Sequence, residues 1–182
     1  MEKNLVKHSK FLSLVLRHHP ETIGLSLDEH GWVEVNDLLV KMNAQGRTIN
    51  REELEQVVAT NDKKRFAFSD DGNRIRANQG HSVSVDLALV PKPPPSELFH
   101  GTADRNLNSI MDRGILPGQR QQVHLSSDRV TAVKVGQRHG KPIVLRIDTQ
   151  TMHDAGHDFF LSDNGVWLTA NVPPEFVSLA ED

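Results

Sequence analysis

The chain of 182 residues contains no cysteine. That excludes disulfides and any zinc site built on thiolates. Aromatic residues are scarce, at 5% of the chain, and hydrophobic residues make up 37%, enough for a core but not a generous one. No apolar run approaches the roughly 20 residues of a membrane span. The first ten residues, MEKNLVKHSK, lack the apolar centre of a signal peptide. A cytosolic protein with no membrane association and no obligate protein partner is expected. The formal net charge is −3, so no global positive field announces a polyanionic partner. Contact with nucleic acid must come from a local basic patch. Also missing are a phosphate-binding P-loop, a dinucleotide-binding glycine fingerprint after a strand and a Gly-x-Ser-x-Gly elbow.

What is present divides in two. Four prolines in five residues, Pro91 and Pro93 to Pro95, favour stiff extended backbone. Residues 1–90 and 97–182 are therefore candidate domains, with 91–96 as linker. In the first, Leu5, Leu12, Val15 and Leu16 recur at helical spacing, and Pro20 should end that helix near His18. WVEV reads as a short strand. Asn36 or Asp37 is placed to cap a second helix. NREE, from Asn50 to Glu53, has the form of a capping box opening a third. RFAFS and NRIRA flank DDG and read as a hairpin turning at Gly72. Helix, strand, helix, helix, hairpin is the order of a winged helix, a module that binds nucleic acid in some proteins and protein in others.

The second half alternates strands and helices. ELFHGT, QQVHLSS, KPIVLRIDT and EFVSLA read as strands. DRNLNSIMDRG reads as a helix capped by Asp104 and stopped at Gly114, and DRVTAVKVGQRHG as a helix ended by Gly140. FFLSDNGVWLTA reads as a hairpin turning at Asn164-Gly165. The fold class is α+β, in two lobes.

Several clusters bear on chemistry. The first helix ends in LRHHP, which puts Arg17 and His18 at its negative dipole end, where cations are stabilised by about 0.3–1 kcal/mol each. Dipole pairing alone would explain them. Lys63, Lys64 and Arg65 form a basic run at a strand start, the place where charge also blocks edge-to-edge pairing. His100-Gly101-Thr102 and His124-Leu125-Ser126 are two His-x-Thr/Ser triplets at strand ends. Alternation along a strand lets each aim an imidazole and a hydroxyl into one cleft, and Gly101 admits close approach of a ligand to the backbone. Two ordinary polar strand ends are the other reading. His153 and His157 have the i, i+4 spacing of a helical metal pair, but Gly156 weakens the helix and no third ligand is near, so no metal is expected.

LRHHPETIGLSLDEHGWVEVNDLL, NDKKRF, IRANQGHSV, LFHGT, RQQVHLS, VGQRHGKPIVL and NGVWLT together resemble, in this order, the KptA family of RNA 2′-phosphotransferases. The resemblance runs from about Lys7 to Val177. It implies a winged-helix RNA lobe joined to an NAD-binding lobe like that of ADP-ribosyltransferases. It also implies removal of an internal 2′-phosphate from RNA, such as a tRNA splice junction, with NAD as co-substrate. The RNA phosphate displaces nicotinamide from NAD. The neighbouring ribose hydroxyl then attacks phosphorus, giving RNA with a free 2′-hydroxyl and ADP-ribose 1″,2″-cyclic phosphate. The family's catalytic set maps onto Arg17, His18, Arg65 and Arg120, with Arg138 the competing choice for the last. The cofactor set maps onto His100, Gly101, Thr102, His124 and Ser126. Where many protein-modifying relatives carry a catalytic glutamate, this chain has NGVWLT, with Val166 near that position. A related ADP-ribosyltransferase acting on nucleic-acid ends or small phosphorylated molecules is the alternative. A two-histidine phosphoesterase leaves LRHHP and KKRF unexplained, and a winged-helix binder without catalysis leaves the second half unexplained.

Overall fold

A computed structural model describes residues 2–181. The chain forms two compact units, the first reaching Ala88 and the second beginning at Leu89. Each is a mixture of helices and small antiparallel sheets, an α+β organisation.

In the first unit, α1 spans Glu2–Arg17 and buries Leu12, Val15 and Leu16. His18 and His19 N–H both bond the Leu14 carbonyl, at 3.0 and 2.8 Å, and a 3-10 turn follows at Pro20–Ile23. The helix thus ends where Pro20 requires. Strand β1 (Val33–Glu34) leads directly into α2 (Val35–Ala44). That early start corrects the expected cap. Glu34 occupies the cap position without a side-chain bond, Asn36 and Asp37 fall inside the first turn, and Asp37 pairs with Lys41 at 2.8 Å. α3 (Arg51–Ala59) opens on the full capping box: Asn50 accepts from the Glu53 N–H, and Glu53 accepts from the Asn50 N–H. β2 (Phe66–Phe68) and β3 (Arg74–Ala77) form the hairpin, with Gly72 at φ 71° in its turn. β1 joins the other edge of β3, giving the order β1-β3-β2. One apolar core, including Leu16, Leu38, Leu54 and Ile75, is shared by all of these elements.

The second unit contains two three-stranded sheets. β4 (Leu98–Ala103), β6 (Pro142–Ile147) and β9 (Val177–Leu179) form one, in the order β4-β6-β9. β5 (Val123–Leu125), β7 (Phe160–Leu161) and β8 (Trp167–Thr169) form the other, in the order β5-β8-β7. α4 (Leu107–Arg113) follows a 3-10 turn over Asp104–Asn106, and Asp104 supplies no side-chain cap, contrary to expectation. α5 (Arg129–Gln137) is capped by Asp128 and packs on β4 and β6. α6 (Thr149–Asp154) ends before His157, so His153 and His157 share no helix face. The proline-rich stretch is tied into this unit: Lys92 N–H donates to the Phe159 carbonyl, and the Thr149 hydroxyl donates to the Pro95 carbonyl. Among the described residues, no helix is long and apolar enough to cross a membrane.

Candidate functional site

The sequence-derived residues fall into two clusters, one per unit. In the first unit the end of α1 presents Arg17 and His18, both half-buried. The segment Asn78–Ser82, which follows β3, wraps this end. Ser82 and Val83 N–H both donate to the Arg17 carbonyl, at 2.9 and 3.3 Å, so they satisfy an acceptor that the ending helix leaves open. The Ser82 hydroxyl lies 2.9 Å from His18 Nδ1. The Arg17 guanidinium lies along Gly80, where a Cβ would meet it at 3.5–3.6 Å; Gly80 sits at φ +87°, a conformation that favours glycine. His81 is buried, and burial first, then the charges of Arg17, Arg76 and His18, push it down to about 4.

The same segment reaches the basic run. Asn78 N–H donates to the Arg65 carbonyl at 2.8 Å, and its side-chain amide donates to the Lys64 carbonyl at 2.6 Å. From the other side, Asn61 Oδ1 accepts from the N–H groups of Lys63 and Arg65. Between these clamps Lys64 adopts φ 43°, rare for a residue with a side chain. Lys63 and Lys64 are exposed and Arg65 is half-buried. Arg65, remote in sequence from the adjacent Arg17 and His18, is therefore tied with them to one short segment. Asn78–Ser82 lies within IRANQGHSV, one of the stretches that carry the family resemblance.

In the second unit the two histidine triplets meet where the two sheets separate. Phe99 and Ser126 exchange both backbone bonds, at 2.9 and 2.7 Å, in an isolated bridge. Strand alternation turns the Gly101 N–H and C=O to the same edge of β4 as those of Phe99. No bridge joins Gly101 to β5 among the described residues, so the sheets part there. His100 Nδ1 donates to the His124 carbonyl at 3.0 Å, which leaves Nε2 to carry the lone pair. Burial holds His100 below the ordinary imidazole range against the opposing effect of that bond, and the charges of His139 and Arg120 add to the lowering. His100 is thus a neutral acceptor at physiological pH.

Arg120 donates to His124 Nδ1 at 2.8 Å, so Nε2 is the protonated nitrogen of that ring. Arg120, one of the two arginines weighed for the fourth position, lies with the triplets; Arg138 closes the C-terminal end of α5. Thr102 is buried, and its hydroxyl accepts from Asn106 at 3.0 Å. Gly101 has a physical reason the sequence did not supply. A Cβ there would lie 1.6 Å from the Ala132 carbonyl oxygen in α5, so the glycine admits a helix backbone on that face. His139, close enough for its charge to act on His100, was not singled out in sequence. It lies 39 residues away, and only the packing of α5 on β4 reveals it. Among the described residues no three His, Asp or Glu side chains gather as a metal ion would need.

Residues 3–171 match the family model described as RNA 2′-phosphotransferase, Tpt1 / KptA family. A probable RNA 2′-phosphotransferase of Agrobacterium fabrum is 58% identical over 174 residues, covering 96% of this chain and 94% of its own. Its counterparts in Hahella chejuensis and Rhodopirellula baltica are 54% and 53% identical. The first alignment covers 100% of this chain and 97% of the relative, and the second 97% of each.

Proposed function

Because the chain belongs to the Tpt1 / KptA family of RNA 2′-phosphotransferases, we propose that it removes an internal 2′-phosphate from RNA with NAD as co-substrate. In this reading residues 1–90 are a winged-helix RNA-binding lobe, 91–96 a linker, and 97–182 an NAD-binding lobe of the ADP-ribosyltransferase type. The observation that carries the reading is the pair formed by His100 and Gly101. A neutral imidazole whose Nδ1 is committed to the His124 carbonyl offers Nε2 as acceptor for a ribose hydroxyl. The unbridged N–H and C=O of Gly101 offer a donor and an acceptor side by side, the complement of a primary carboxamide such as that of nicotinamide. These groups fit NAD. His124, Thr102 and Ser126 complete the set that frames the dinucleotide.

The chemistry proceeds in two balanced steps. An oxygen of the RNA 2′-phosphate bonds to the anomeric carbon of the nicotinamide ribose. The carbon–nitrogen bond breaks, and nicotinamide leaves neutral with its electron pair. The nucleophile is already an anion, so no general base is required, consistent with Val166 rather than glutamate in NGVWLT. In the second step the adjacent ribose hydroxyl bonds to phosphorus and the bond to the RNA 2′-oxygen breaks. The hydroxyl's proton is delivered, in net, to that oxygen. Arg17, Arg65 and Arg120 supply planar guanidinium forks for the phosphoryl oxygens and stabilise the charge that develops there. His18 handles the proton, because imidazole is the only side-chain type in the set whose ordinary range lies near neutral pH.

The test is a short RNA bearing one internal 2′-phosphate, incubated with and without NAD. Release of nicotinamide in step with phosphate loss, only when NAD is present, is expected. Phosphate loss without NAD would overturn the reading. The step assignment has its own signature. General acid–base assistance is worth about 10²–10⁴-fold, so His18→Ala should slow the second step by that range while the first proceeds. RNA carrying ADP-ribose on its 2′-phosphate would then accumulate on a gel. Slow loss of starting RNA with no such species would remove His18 from the second step.

A further inference from the structure

We propose that the Asn78–Ser82 segment is the positioning element of the phosphate-handling set, with Ser82 acting through His18 and Asn78 through Lys64 and Arg65. The inference rests on the reaction proposed above and assigns a role to a stretch that the reaction itself does not use.

Three observations converge. The first is connectivity. This segment bonds the Arg17 carbonyl through the Ser82 N–H, His18 Nδ1 through the Ser82 hydroxyl, and the Lys64 and Arg65 carbonyls through Asn78. The second is polarity buried at a penalty. Asn78 and His81 are 5% and 3% exposed, and Asn78 Oδ1 and His81 Nε2 have no hydrogen-bond partner among the described residues. An orphaned buried polar atom destabilises a fold. Two of them in five residues mark a segment whose composition is not set by stability. The third is backbone strain. Lys64, whose carbonyl Asn78 holds, sits at φ 43°, and such strain collects where structure serves function.

Ser82 determines what His18 can do. With the hydroxyl at Nδ1, proton exchange with a substrate falls to Nε2. A hydroxyl accepts from Nδ1–H when the ring is charged and accepts from or donates to Nδ1 when it is neutral. The ring plane therefore stays fixed through a full proton cycle, whichever nitrogen carries the proton of the neutral ring. Asn78 does the corresponding task for the guanidinium. It holds the Lys64 carbonyl through its side chain and the Arg65 carbonyl through its backbone, which sets where β2 begins and where Arg65 emerges.

The experiment combines substrate-free spectroscopy with single-turnover kinetics on the full chain. In Ser82→Ala, the ring-nitrogen NMR signals of His18 should shift and its titration should change. Ser82→Thr, which keeps the hydroxyl, should restore both. Loss of one net hydrogen bond corresponds to about 2–13-fold, and it should fall on the second chemical step. Added to His18→Ala, the serine substitution should have no further effect, since both act through one group. Asn78→Ala should weaken both steps through Arg65, with Asn78→Asp failing to rescue because it lacks the amide donor. Unchanged His18 signals in Ser82→Ala, or rate losses that simply multiply in the double variant, would overturn the proposal. If the wild-type protein fails to use NAD with 2′-phosphorylated RNA, the reaction proposed above is wrong. The NMR comparison then decides alone whether Ser82 orients His18.

Discussion

At the scale of single residues, two histidines show how environment assigns function to one chemical type. His100 and His81 are both held below the ordinary imidazole range, first by burial. For His100 the neutral ring is an acceptor, the group that the proposed function assigns to a ribose hydroxyl. For His81 the neutral ring is a buried filler beside Arg17 and Arg76, where a third positive charge would be repelled. The consequence for stability has a definite sign. A folded-state value of about 4 lies below that of an unfolded histidine, about 6.5. The stabilisation is therefore complete above the unfolded value and is lost as pH falls from there toward 4, because the unfolded chain takes a proton that the folded chain refuses. Between pH 7 and pH 4.5 this one group should remove about 2–3 kcal/mol. Denaturant unfolding of wild type and His81→Gln at the two pH values measures it. The variant should lose less stability on acidification by roughly that amount. An identical loss in both proteins would show that His81 is not the acid-sensitive group.

At the scale of elements, local signals were legible and contact-dependent ones were not. The Asn50 capping box, the Pro20 helix stop and the Gly72 and Gly165 turns depend on residues within a few positions of one another. Each appears where the sequence places it. Asp37 and Asp104 have the right type for caps, but β1 runs straight into α2 and a 3-10 turn precedes α4, so tertiary pairing moved both helix starts. The triplets at His100 and His124 could be read as a pair. The parting of β4 from β5 beyond Phe99 and Ser126 could not, since it depends on which strands find each other. Gly101 is the sharpest case. In sequence it reads as access for a ligand; in the fold it also admits α5. Gly101→Ala should therefore push α5 off β4, destabilising the protein by more than about 3 kcal/mol, the upper end for overpacking a core. Hydrogen exchange should show protection lost first in β4 and α5. A stable, fully protected Gly101→Ala protein that merely uses NAD poorly would contradict the packing account and leave only the ligand-access role.

At the scale of the whole molecule, a chain of net charge −3 must concentrate its affinity for RNA in a few cations. Lys63 and Lys64, exposed beside Arg65, are the natural candidates. Replacing both with alanine should weaken RNA binding and flatten its dependence on salt. The slope in log affinity against log salt should fall by about 1.4 if each neutralises one phosphate of a single strand. An unchanged slope would remove them from the RNA contact, and a large fall in single-turnover rate at saturating RNA would move them into the reaction itself. The central claim, however, concerns where the phosphate goes. It is tested most directly by labelling the internal 2′-phosphate of a short RNA with radioactive phosphorus and following the label in the presence of NAD. The account predicts that the label leaves the RNA on a small molecule that also contains ADP-ribose, identified by mass as the cyclic phosphate, with one nicotinamide released for each. Label recovered as inorganic phosphate, with NAD intact, would contradict it.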